Sequence, residues 1–130
     1  MPQRKMQHDV DPKAALLKAI GSLNKMSIYH NQLLVAVYLR PKQTESGIYL
    51  PDQHLDEDRN QSKVGLVVKT GPQCFDDPTQ VWFKDMEVKL NDWVIFRPSD
   101  GWSITVNGVL CRLLQDINIK GRVEHPDQVW

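Results

Sequence analysis

The sequence predicts an all-β fold, a small β-barrel or β-sandwich preceded by one short helix. Three observations carry that expectation. Short runs rich in Val, Ile, Leu, Tyr and Phe recur along most of the chain. Turn residues separate them, most sharply at Gly71-Pro72, Ser99-Asp100-Gly101 and Asn107-Gly108. The helical apolar spacing seen before Ser27 gives way after it to the continuous or alternating pattern of strands. At 130 residues the chain is expected to form one domain.

The elements follow in order. Residues 1–10 are polar and are expected to fray. "DPKAALLKAIGSL" predicts a helix, with Asp11 as N-cap and Pro12 at the first helical position. Leu16, Leu17, Ile20 and Leu23 share a face, which fits docking on the body or contact with a neighbouring subunit or another protein. "SIYHNQLLVAVYLRP" predicts a strand opened by His30, and its run 33–39 is apolar enough to be buried on both faces. "KVGLVVKTGP" predicts a second strand with a bulge or bend at Gly65. "QCFDDPTQVWFKDMEVKLND" holds a possible hairpin, and "DWVIFRP" a further strand. "SITVNGVLCRLL" predicts two strands joined at Asn107-Gly108. "QDINIKGRV" predicts a last extended piece before a short tail.

Composition removes several function classes. The 16 basic and 16 acidic residues cancel, which argues against a general nucleic-acid binder and makes self-association easy to accept. No run approaches a membrane span, and the first residues lack the apolar core of a signal peptide, so a cytoplasmic protein is expected. Cys74 and Cys111 lie far apart, and none of His8, His30, His54 and His125 has a metal-ligand spacing, so no metal or cofactor is expected. Asp56-Glu57-Asp58 lacks the spaced donors of a calcium loop and reads as a solvated charge run. No nucleophile or phosphate-binding motif suggests an enzyme.

The segment 41–62 is the one that asks for a function. From Arg40 to Lys63 it carries four basic and five acidic residues, the composition of a mobile loop. It is too long for a mere connector. In its middle stand Ile48, Tyr49 and Leu50, with Gly47 before them and Pro51 after. The triplet could be a short strand packed on the barrel. It could instead be a recognition edge for an apolar groove, weak singly and strong when several copies act together.

At this point the chain resembles the GroES-type co-chaperonins over about residues 28–123. "HNQLLVAV" is similar to the family's first strand, "SGIYLP" to its loop edge, "VGLVVKTGP" to the next strand, and "VKLNDWVIF" to a Val-Lys-x-Gly-Asp-x-Val-x-Phe pattern. "DINIKGRV" resembles the closing strand that meets a neighbouring subunit. The resemblance implies a GroES-like irregular β-barrel over 28–124, with a long mobile loop at 41–62, a roof hairpin at about 73–87, an N-terminal extension over 1–27 and a tail over 125–130. It implies a homoheptamer that caps a GroEL-type chaperonin. Gly47, Ile48, Tyr49 and Leu50 would bind the chaperonin, and Leu33, Val35, Ile117 and Ile119 would lie at the subunit interface. ATP would be handled by the chaperonin.

The chain departs from the family pattern in three ways. Asn31-Gln32 replaces Asp-Arg, Asn91 replaces Gly, and Tyr49 is bulkier than the usual Val. The added ends look more like phage-encoded co-chaperonins than the compact cellular ones. A second reading of the residues is a structural protein, such as a virion component, that reuses the barrel with its loop and helix as assembly contacts.

Overall fold

The computed structural model describes residues 11–39, 63–76, 83 and 88–129. One helix, α1 (Pro12–Ile20), precedes six strands: β1 (Gln32–Val37), β2 (Val64–Thr70), β3 (Trp93–Ile95), β4 (Trp102–Val106), β5 (Val109–Gln115) and β6 (Gly121–Val123). They form a single antiparallel sheet in the order β4-β5-β1-β2-β3-β6. This is the all-β class with one short helix that the sequence predicts.

The central strand is β1, and both of its faces are buried. Leu34, Ala36 and Tyr38 join one apolar cluster with Leu66, Trp93, Cys111 and Ile20. Leu33 and Val35 join a second cluster with Val67, Val94, Phe96, Leu114 and Ile119. This is the period-2 alternation of a strand with no polar face, and it explains the unbroken apolar run in the sequence. Each large side chain buried this way contributes about 1.5–3 kcal/mol.

Helix α1 covers the first face. The Asp11 carboxylate accepts from the Ala14 amide at 3.3 Å, Pro12 sits in the first turn, and Gly21 ends the helix at φ 66°. Ile20 is buried in the first cluster, and Leu16, Leu17 and Leu23 pack against it. Two polar bonds fix the helix end. Asn107 Nδ2 donates to the Ile20 carbonyl at 2.7 Å, and Lys69 Nζ donates to the Leu23 carbonyl at 2.7 Å. Of the roles left open for the helix, docking on its own body is seen in the single chain.

Three local expectations change. The β1–β2 register slips between Leu34 and Val35, which face Lys69 and Val67, so the irregularity lies at Val68 and not at Gly65. Gly65 serves close approach instead, since a Cβ there would stand 2.3 Å from Val35 Cγ1 and 2.8 Å from the Ala36 oxygen. His30 does not open β1; it is in a turn at φ 59°, and the strand begins at Gln32. The extended piece expected over "QDINIKGRV" is interrupted by a single 3-10 turn at Asp116–Asn118. There the Asn118 side chain accepts from the Gln115 amide at 2.9 Å, a local bond that competes with the ladder. The hairpin at Asn107-Gly108 forms as expected, with both residues at positive φ. The possible hairpin at 73–87 falls largely outside the described residues.

Candidate functional site

Gly47, Ile48, Tyr49 and Leu50 lie outside the described residues, as does the whole segment 40–62. The structure does place the points where that segment leaves the sheet and returns. It leaves after Tyr38 and Leu39 at the end of β1 and returns at Lys63 and Val64, the start of β2. The Tyr38 amide donates to the Val64 oxygen at 3.1 Å, and the Phe96 amide donates to the Lys63 oxygen at 3.0 Å. Exit and return are therefore adjacent and tied into the ladder.

The exit is well anchored. Tyr38 is only 2% exposed. Its ring meets Trp93 edge-on at 5.9 Å and 78°, the favoured aromatic geometry. Its hydroxyl donates to Asp127 Oδ1 at 2.5 Å. Tyr38 thus joins the root of the segment to the C-terminal tail, a contact the sequence reading did not anticipate.

Comparison with known proteins decides the family. Residues 25–123, about three quarters of the chain, match the model of the chaperonin 10 kDa subunit. The chain belongs to the chaperonin 10 kDa subunit family. A co-chaperonin GroES of Rhodothermus marinus is 29% identical over 83 residues, which is 64% of this chain and 76% of that protein. The six-stranded fold is accordingly GroES-like. The family match begins after α1 and ends with β6, so the helix and the tail lie outside it.

The departures from the family pattern acquire physical reasons. Asn91 stands where the pattern has Gly and adopts φ 70°, a left-handed conformation that Asn tolerates better than most residues. Its amide donates to the Val67 oxygen at 2.7 Å, and the Lys89 amide donates to Asp92 Oδ2 at 2.8 Å, so the tight turn before β3 is kept. Asn31 stands where the pattern has Asp, and its Nδ2 donates to Asp116 Oδ1 at 3.0 Å. Asp116 is 3% exposed, and its other oxygen accepts from the Phe75 amide at 3.0 Å. A second carboxylate at position 31 would face this one, whereas an amide satisfies it. The sequence signal for Asp116 was a carboxylate set between Leu114 and Ile117 at the end of an apolar strand.

The four residues expected at the subunit interface separate into two groups. Leu33, Val35 and Ile119 come together in the second cluster at 0%, 0% and 6% exposure. The side chains of Leu33 and Val35 are fully buried within the single chain. Ile117 is different: it stands on the 3-10 turn at 50% exposure. Among the described residues no group of three or more His, Cys, Asp or Glu side chains could hold a metal ion. No described helix is long and apolar enough to cross a membrane.

Proposed function

We propose that this chain is a co-chaperonin that assembles as a homoheptamer in the cytoplasm and caps a GroEL-type chaperonin. Each copy docks through Gly47, Ile48, Tyr49 and Leu50, which enter an apolar groove of the chaperonin. The chaperonin binds and hydrolyses ATP, and this chain contributes the lid and needs no cofactor. The observation that carries the reading is an apolar triplet in a polar segment whose two ends are held side by side on a GroES-like sheet. One such segment binds weakly, because ordering it on the partner is unfavourable. Several on one ring bind well, because the first contact raises the effective concentration of the rest.

The ring itself draws on the edges of the sheet. Among the described residues β4 and β6 each have a single neighbouring strand, which makes their outer edges the ring contacts of this reading. Of the expected interface set Ile117 is the exposed member, at 50%, and the ring contact would cover it.

Light scattering after size-exclusion chromatography tests the reading, with the protein alone and with a GroEL-type chaperonin plus ADP. The expected result is a particle near seven subunits that co-elutes with the chaperonin only when nucleotide is present. The double substitution Ile48→Ser, Leu50→Ser should abolish co-elution and leave the ring mass unchanged. A ring that never joins the chaperonin would turn the assignment toward a structural barrel. A double variant that fails to fold would place the triplet in the core.

A further inference from the structure

The tail after β6 lies beyond the family match, which ends at residue 123, yet it is a defined part of the subunit. It closes on itself as a 3-10 turn, Pro126–Gln128. The Glu124 and His125 amides both donate to Gln128 Oε1, at 3.1 and 3.0 Å, and the Asp127 amide donates to His125 Nδ1 at 3.1 Å. Pro126 is buried, and Val129 packs against the first apolar cluster, on the face that α1 also covers. This small rigid turn presents Asp127 to the hydroxyl of Tyr38. Tyr38 is the last buried residue before the segment 40–62, and its amide makes the bond to Val64 that joins exit to return.

We infer that the C-terminal tail is a clamp on the root of the docking segment, with Tyr38 and Asp127 as its positioning residues. The inference rests on the docking role proposed above. Its physical basis is the conformational entropy of the root. With the clamp in place, the ends of the segment are fixed before the partner arrives. With the clamp gone, the end of β1 frays, the Tyr38–Val64 bond opens more often, and docking must re-order those residues each time. Repetition magnifies the effect. A weakening of about 1.4-fold per copy compounds to about tenfold when seven copies dock together.

Tyr38→Phe and Asp127→Ala test the clamp, and Asp127→Asn serves as the conservative control because it keeps an acceptor oxygen. Each full-length ring is measured below its melting range for mass, for affinity toward a GroEL-type chaperonin with ADP, and for hydrogen exchange at the Tyr38 amide. We expect unchanged ring mass, faster exchange at Tyr38, and about tenfold weaker binding in Tyr38→Phe and Asp127→Ala. Asp127→Asn should stay near wild type. A merely structural role would lower the melting temperature and leave the affinity of the folded ring alone, and that outcome overturns the clamp. Unchanged exchange at Tyr38 overturns it as well. If the wild-type ring itself does not bind, the docking reading has failed, and the clamp loses its proposed purpose whatever the exchange shows.

Discussion

Gly65 and the two cysteines show how single positions are constrained from opposite directions. Gly65 is tied by backbone approach, since its missing Cβ leaves room for Val35 and the Ala36 carbonyl on the central strand. Gly65→Ala cannot be relieved by one flexible side chain, because part of the obstacle is backbone. It should lower stability by about 1–3 kcal/mol, read from the urea midpoint. The cysteines are constrained by solvation. Burial pushes the Cys111 thiol up from its ordinary 9.0 to about 11. Burial, and secondarily the Asp116 carboxylate, pushes Cys74 up to about 12. Below pH 9 both states keep their thiol protons. As pH rises from 9 toward 11 and 12, the unfolded chain ionises first, so stability falls. Urea unfolding at pH 8 and pH 10 should show that loss, and Cys74→Ala with Cys111→Ala should reduce its slope. Alkylation of the folded protein at pH 8 should be slow at both sites.

At the scale of the element, α1 illustrates how an extension becomes part of a core. Its start is set locally, by Asp11 and Pro12. Its position is set by distant residues, through Asn107 on the β4–β5 hairpin and Lys69 on β2. Asn107 therefore serves twice, as the positive-φ residue of a hairpin and as a cap on the helix end. Ile20 is 2% exposed, so Ile20→Ala should cost about 2–5 kcal/mol in chemical unfolding. Deleting residues 1–26 would uncover the same face. If the ring contacts lie on the sheet edges, the truncated chain should still assemble but melt at a markedly lower temperature. Truncated monomers that remain well folded would instead assign the helix to the subunit contact. Leu16 and Leu17 pack against the cluster that holds Ile20, so the apolar side of the helix faces its own sheet.

Across the described part of the molecule, β1 is buried on both faces at the centre of the sheet, and exposure rises toward the outer strands β4 and β6. Ile117 and Trp102 are exposed at 50% and 72%, and the outer edges of β4 and β6 carry one neighbour each among the described residues. Ile117→Asp would place a charge in the proposed ring contact. It should shift the particle from a ring to smaller species in light scattering, with the folded circular dichroism spectrum of the subunit retained. Leu33→Ala, by contrast, should destabilise the subunit itself, because Leu33 is buried within one chain.

The sequence by itself determined the class, the order of the elements and the family. Those properties are written in local signals: the periodicity of apolar residues, the cap at Asp11-Pro12, the Asn107-Gly108 turn, and a run of motifs in family order. It also marked Ile48, Tyr49 and Leu50, because three large apolar residues in a charged segment stand out without any coordinates. Only the tertiary structure decided what depends on contacts distant in the chain. The sequence marked Leu33 and Val35 as buried, and the structure supplied their partners, Val67, Val94, Phe96, Leu114 and Ile119. Gly65 proved to be a close approach and not a bulge because the strand beside it comes from another segment. The join of Tyr38 to Asp127 spans 89 positions, and Asn31 to Asp116 spans 85. Periodicity and propensity carry information about neighbours in sequence, and hydrogen bonds across such separations exist only once the sheet has brought the strands together.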